Sequence, residues 1–359
     1  MKTNEIINRL YRQNQIDGEE LLCLLDDEND ETLVNLMTKA NEKRVERYGK
    51  TVYLRGLIEF TNYCKQNCLY CGIRSGNGKA QRYRLSAKEI IAVCNTGWEL
   101  GYRTFVLQGG EDNFYSDEEM VEIITILKKK FTGCAITLSI GEKLRESYQM
   151  FFKAGADRYL LRQETVSESL YQKLHPGMKL ENRLRCLYDL KEIGYQVGAG
   201  FMVGLPGQSN HDFVKDLLFL KEFQPHMVGI GPFMPHKDTP LADSQPGTVE
   251  TTLKMLAITR LLLPDALIPA TTALGSLNPL GREKGLKAGA NVVMPNLSPI
   301  EVRNKYALYD GKISNGEEAA ECKRSIESRI NKAGYTVDMS RGDHPDFGLA
   351  KMENNHFKH

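Results

Sequence analysis

The sequence predicts an α/β chain folded as a parallel (β/α)8 barrel of the TIM type, with an N-terminal helical cap. Eight short apolar runs rich in β-branched residues recur along it, and longer helical patterns separate them. The runs cover 52–60, 104–108, 134–139, 158–162, 196–204, 227–232, 267–272 and 291–295. Eight parallel strands close a small barrel, whereas the alternative is an open doubly wound sheet. The first strand-to-helix loop lacks the G-x-G-x-x-G of a dinucleotide sheet and carries three cysteines instead.

Before the first run, Ile6, Ile7, Leu10 and Tyr11, then Leu33, Leu36 and Met37, repeat at helical spacing around an acidic DDENDE turn. Residues 1–48 are therefore expected to form the cap and 49–335 the barrel. Residues 336–359, polar and ending in NNHFKH, are expected to be a partly disordered tail.

Composition narrows the function classes. The chain has 359 residues, with 47 basic and 46 acidic side chains and a net charge of +1, so no overall field draws it to nucleic acid or an anionic membrane. No apolar run approaches the ~18 residues of a membrane span, and no export signal opens the sequence, so a cytoplasmic location is expected. In a reducing compartment the eight cysteines remain thiols. Five are scattered singly, while Cys64, Cys68 and Cys71 lie together after the first strand, in FTNYCKQNCLYCGIR.

Structural zinc calls for four closed ligands, and no second C-x2-C pair is present; a cubane iron-sulfur cluster held by three thiolates keeps one iron open. Buried or chance cysteines, or zinc completed by a distant histidine, are the plainer readings. Around the triad, LQGGED places Gly109, Gly110 and Glu111 at the end of the second strand, where glycines let a backbone approach a ligand. Period-two alternation sends Arg55 inward on the first strand, Thr137 and Ser139 on the third, and Arg158, Arg162 and Glu164 on the fourth. Buried guanidinium groups require carboxylate or phosphate partners, so either an anionic ligand or an internal lattice using Glu59, Glu142 and Glu164 is expected. Thr271 and Thr272 end the seventh strand and Met294 the eighth, positions that ordinary barrel filling also explains.

The C-x3-C-x2-C spacing with Tyr70 before the last cysteine resembles the signature of the radical S-adenosylmethionine superfamily. The blocks IEFTNYCKQNCLYCGIR, AGADRYLLRQET, GAGFMVGLPGQ, MVGIGPFMPHKDTPLA, IPATTALG and GANVVMPN are similar to the HydE family of [FeFe]-hydrogenase maturases, more than to biotin synthases or methylornithine synthases. The resemblance spans about residues 50–310.

It implies one [4Fe-4S] cluster on Cys64, Cys68 and Cys71, with S-adenosylmethionine on its open iron. One electron from a reductase or ferredoxin would cleave the sulfonium to a 5′-deoxyadenosyl radical. Glu164 and Arg183 would hold the amino and carboxylate groups, with Tyr70, Gly109, Gly110, Glu111, Ser139 and Met294 also counted to the cofactor. Arg55, Thr137, Arg158, Arg162, Thr271, Thr272, Tyr306 and Tyr309 would line the substrate cavity. The implied substrate is small, sulfur-containing and carboxylate-bearing, and other hydrogenase maturation proteins are implied partners. Where some relatives bind a second cluster through C-x7-C-x2-C, this chain has Ser314, Cys322 and Ser325, so no second cluster is expected. A methylornithine synthase-like enzyme and a non-catalytic iron-sulfur carrier are the alternatives.

Overall fold

The structure is a computed structural model describing residues 2–313 and 318–347. The first apolar run divides into β1 (Thr51–Leu54) and β2 (Gly56–Thr61), followed by β3 (Thr104–Gly109), β4 (Ala135–Ser139), β5 (Arg158–Leu160) and β6 (Gln196–Ala199). Then come β7 (Met202–Val203), β8 (Met227–Val228), β9 (Gly231–Pro232) and β10 (Val292–Val293). All pairings among these strands are parallel, in the order β2-β3-β4-β5-β6-β8 and then β7-β9.

The seventh run closes the ring without forming a regular strand. Leu267 bridges Met227 and Pro269 bridges Val292, and Pro269 has no N–H to extend the ladder. Tyr53 then pairs with Val292, and the Leu57 amide donates to the Pro295 carbonyl at 2.9 Å, joining the eighth run to the first. The eight runs thus form one closed parallel barrel in chain order. Alternation holds along the first run: Val52, Leu54, Ile58 and Phe60 pack in the main apolar core.

The outer helices start where the sequence supplies caps. Ser86 with Glu89 and Ser116 with Glu119 form reciprocal capping boxes at the helices Ala87–Glu99 and Asp117–Lys130. Three N-terminal helices, α1 (Lys2–Gln13), α2 (Gly18–Asp26) and α3 (Asp30–Tyr48), pack against the helices Asn210–Phe223 and Val249–Leu262. From α3, the buried Arg44 donates to the carbonyls of Gly49, Thr51 and Ala290, tying the cap to the strand-start end of the barrel.

The segment beyond residue 335 differs from a polar tail up to Phe347. Thr336–Asp338 (β11) pairs parallel with β1, and residues 341–344 cross the barrel floor. Its sequence is polar because it serves buried polar partners. Gly342 adopts φ +54°, and a Cβ there would lie 2.6 Å from the Tyr53 ring, so the crossing requires glycine. The closing NNHFKH lies outside the described residues.

Candidate functional site

Beyond Thr61 the chain leaves the barrel in a long loop with Cys64, Cys68 and Cys71 on it, all three partly exposed and without disulfides. Side chains that carry no chemistry themselves shape this loop. Asn62, fully buried, donates to the Gln81 and Lys305 carbonyls at 2.8 and 2.7 Å and accepts from the Tyr83 amide at 2.8 Å. Arg82 donates to the Ile73 and Arg74 carbonyls at 2.8 and 2.7 Å. Neither was singled out from sequence, although Asn62 stands within the cysteine motif. The loop is anchored outward by Leu69 N–H to the Leu174 carbonyl and Gly72 N–H to the Leu308 carbonyl.

Burial pushes the Cys71 thiol up to about 12 and raises Cys64 and Cys68 as well, and the neighbouring sulfurs oppose joint ionisation of all three. Opposing this, the Glu111 amide points at Cys64 Sγ (3.4 Å) and the Arg183 charge favours a Cys68 thiolate. Three soft ligands that ionise together only beside a cation are a fitting donor set for an iron-sulfur cluster.

Gly110 is forced by the loop itself. A Cβ at Gly110 would lie 2.1 Å from the Tyr63 carbonyl oxygen and 2.7 Å from Cys64 Cβ. The close approach expected toward a ligand is thus made toward the cysteine loop, and Gly109 likewise abuts Thr61. Glu111 also braces the loop: its carboxylate accepts from Gln66 (2.7 Å) and the Glu142 amide (3.0 Å), and its carbonyl accepts from Lys65 N–H (2.9 Å). Tyr70 hydrogen-bonds His175 Nε2 at 2.8 Å, a partner with no sequence signal.

On the fourth and fifth runs, Glu164 sits at φ +66°, a left-handed conformation that a non-glycine residue adopts at a local cost of ~1–3 kcal/mol. One carboxylate oxygen lies 3.2 Å from Arg162, and the other is buried without a partner. Arg183 differs from the expectation that it awaits a carboxylate. Its Nε donates to Glu142 at 2.6 Å and Nη1 to the Arg162 carbonyl at 2.8 Å, with Glu111 3.9 Å away.

The lower group splits. Thr137 is buried with its hydroxyl unpartnered, and Arg55 is buried with Nε unpartnered and Nη2 donating to the Gly342 carbonyl at 3.3 Å. Arg158 contradicts the substrate assignment. It is wholly enclosed, pairs with Asp343 at 2.7 Å, and donates to Thr104 and to the Arg341 carbonyl at 3.1 and 2.6 Å. Asp343 supplies the anion that its burial demanded, at the end of the barrel away from the cysteines. Lys312 with Glu59 (2.5 Å) and Arg162 with Glu164 extend this internal lattice of ion pairs.

Tyr306 and Tyr309, expected at the substrate cavity, have hydrogen-bond partners within the chain. They belong to the loop after the eighth run, whose Leu308 carbonyl holds Gly72, with Tyr306 bonded to Gln108 and Tyr309 to Ser276. Thr271 caps the helix Thr272–Leu277, and Thr272 accepts from Arg282 at 3.3 Å. Met294 packs beside Met227, Leu267 and Val292, and Ser139 ends β4 level with Gln108. Cys322 is buried on the helix Ala319–Lys332, and Ser314 lies outside the described residues.

The Radical SAM superfamily matches residues 58–220, a stretch containing the whole cysteine loop. The [FeFe] hydrogenase maturase subunit HydE of Thermotoga maritima is 47% identical over 93% of this chain and 95% of its own length. A 3-methylornithine synthase of Methanosarcina acetivorans is 31% identical over 89% and 88%. Among solved structures, that of methylornithine synthase (PylB) superposes with a TM-score of 0.82 at 28% identity, covering 96% of this chain and 99% of that one. The chain belongs to the radical SAM superfamily, within the HydE family of [FeFe]-hydrogenase maturases.

Proposed function

We propose that this radical SAM enzyme binds a single [4Fe-4S] cluster through Cys64, Cys68 and Cys71, and acts on a small sulfur-containing, carboxylate-bearing substrate during hydrogenase cofactor assembly. The observation that carries this reading is the three-thiol loop at one end of a barrel whose interior holds buried polar atoms that no group of the described chain answers: Glu164 Oε2, Thr137 Oγ1 and Arg55 Nε. A buried polar group without a partner costs ~1–3 kcal/mol, so three of them along one barrel interior fit a polar ligand.

With cluster and S-adenosylmethionine bound, one-electron cleavage of the sulfonium would supply a 5′-deoxyadenosyl radical. The residues around it hold, orient and exclude water. Glu164 Oε2 accepts an ammonium hydrogen bond, with its strained backbone fixing the direction. The Glu111 amide stabilises the Cys64 thiolate, and Gly110 lets the loop lie flat against the barrel. Thr137 and Arg55 donate to the substrate's carboxylate or sulfur side, while Arg158, held by Asp343, takes no part. Residues 1–48 serve as the cap and 49–335 as the catalytic unit. Cytoplasmic hydrogenase maturation proteins are the partners.

The relation to 3-methylornithine synthases favours a second reading, a small-molecule radical enzyme acting on an amino acid. Anaerobic reconstitution with iron and sulfide, then measurement of 5′-deoxyadenosine with each substrate class, separates the two. Cys68→Ala is expected to lose both cluster absorbance and cleavage. Intact cleavage in that variant overturns the proposal, and cluster binding without any cleavage in the parent favours a carrier.

A further inference from the structure

Tyr70 stands one residue before Cys71, and its phenol is held by a residue far along the chain. Its oxygen lies 2.8 Å from Nε2 of His175, which closes the helix Glu168–Leu174 and is 1% exposed. The adjacent Leu69 N–H donates to the Leu174 carbonyl at 2.9 Å. These two contacts fasten the cysteine loop, which follows the first run, to the helix that follows the fourth. The Tyr70 ring rests among Leu170, Leu174, Met202, Leu205 and Phe233, a small apolar group separate from the main core.

The direction of the Tyr70–His175 hydrogen bond follows from the far side of the imidazole. Nδ1 lies 2.9 Å from the Tyr171 carbonyl, which can only accept, so Nδ1 carries the ring's proton. Burial pushes His175 down to about 4, leaving the ring neutral with a bare lone pair on Nε2. The Tyr171 ring stacks on the imidazole with centroids 4.1 Å apart and fixes its plane. The phenol therefore donates its only proton to His175. Burial, and then the charges of Cys68, Glu164 and Cys71, keep that proton on Tyr70. Those charges also mark where it would turn without His175, since the apolar group around the ring offers no strong acceptor.

We propose that His175 is a positioning residue for the cluster-binding loop: by accepting the Tyr70 hydroxyl, it withholds this proton from the thiolates of Cys68 and Cys71. The consequence is electronic. Hydrogen bonds to the sulfurs of an iron-sulfur cluster help set its reduction potential, and a donor aimed at them favours the more negative, reduced state. His175 thus keeps the cluster strongly reducing. The inference rests on the cluster reading above and gives the latch on the loop a share in setting that cluster's potential.

The test is a redox titration, followed by electron paramagnetic resonance, of the reconstituted protein saturated with S-adenosylhomocysteine. That probe carries the amino and carboxylate groups to occupy Glu164 but no sulfonium to cleave. His175→Leu removes the acceptor and is expected to shift the one-electron equilibrium about tenfold toward the reduced cluster, a rise of about 59 mV. His175→Gln, whose side-chain carbonyl keeps an acceptor for the phenol, should stay near the parent. Tyr70→Phe should also stay near the parent, and adding it to His175→Leu should return the potential to the parent's, because no phenol proton is left to redirect. Loss of packing alone predicts the opposite, a double variant disturbed at least as much as the single one. An unchanged potential in His175→Leu overturns the inference. So does a lower potential in Tyr70→Phe, which would put the phenol on the sulfurs in the parent already. Should His175→Leu take up no cluster, the double variant decides: a cluster at the Tyr70→Phe potential supports the inference, and no cluster or a different potential overturns it. A parent that forms no [4Fe-4S] cluster overturns the cluster reading itself, whereas a loaded parent matched in potential by His175→Leu overturns this inference alone.

Discussion

Replacing Asp343 by asparagine tests whether Arg158 is structural. Arg158 is enclosed at the barrel floor, and its only carboxylate partner within 4 Å is Asp343, at 2.7 Å, among the described residues. The amide introduced by Asp343→Asn would keep an acceptor but remove the countercharge. Breaking one side of a buried ion pair costs ~3–5 kcal/mol, and because the Asp343 side chain is 22% exposed, water offsets part of that loss. A loss of ~3 kcal/mol is therefore expected from urea unfolding of the parent and Asp343→Asn.

The pH dependence gives a second readout. Burial pushes the Asp343 carboxyl up, but hydrogen bonds from Arg341 and Gln196 and the Arg158 charge outweigh it and hold it well below the ordinary 3.8. A depressed carboxylate stabilises the fold above its unfolded value and loses that contribution as pH falls below about 4 toward the folded value. The parent should therefore lose stability on this acid limb more steeply than Asp343→Asn. In Arg158→Met/Asp343→Leu the combined cost should fall short of the sum of the single variants by ~1–2 kcal/mol, because loss of the Arg158–Asp343 pair is counted in both single variants, while the bonds of Arg158 to Thr104, Gln196 and the Arg341 carbonyl are lost in the Arg158 single and the double variant alike. An Asp343→Asn protein within ~0.5 kcal/mol of the parent, with an unchanged acid limb, would refute the pairing and return Arg158 to the substrate.

Three further outcomes follow from the same geometry. Gly110→Ala drives a methyl into the Tyr63 carbonyl, so cluster content after reconstitution should drop well below the parent's while far-ultraviolet dichroism is preserved. Thr137→Val removes a buried hydroxyl that has no partner; stability should hold or rise by up to ~1 kcal/mol, while KM for the stimulating substrate rises about tenfold, and an unchanged KM counts against Thr137 as a substrate contact. Burial pushes His226 down to about 4, so the unfolded chain takes up its proton first and stability falls as pH drops from about 6.5 to about 4; His226→Gln should flatten that stretch of a stability-against-pH curve.

Periodicity carried the barrel, because inward and outward side chains alternate whatever their partners are. Even the irregular seventh run could be placed, since its β-branched pattern survives the proline that denies it a ladder. Alternation also turned Arg55, Thr137 and Arg158 inward. What it could not reveal was which end of the barrel each occupies or who answers its charge. The answer for Arg158 lies 185 residues away, on a segment whose polarity looked like that of a solvated tail.

The same limit governed the cysteine loop. Spacing identified the three thiols, since ligand chemistry acts over a few neighbouring residues. Asn62, Arg82 and His175 escaped notice because they act through backbone carbonyls, an amide and a phenol that only the folded chain brings near. Gly110 shows how a glycine can have a second reason: the pair was read as room for a ligand, and the space at Gly110 is taken by Tyr63 and Cys64 of the chain itself. A residue's role at such a site is therefore set by what fills its first few ångströms, and the atoms of Glu164, Thr137 and Arg55 that no group of the described chain answers are where the proposed ligand would make its contacts.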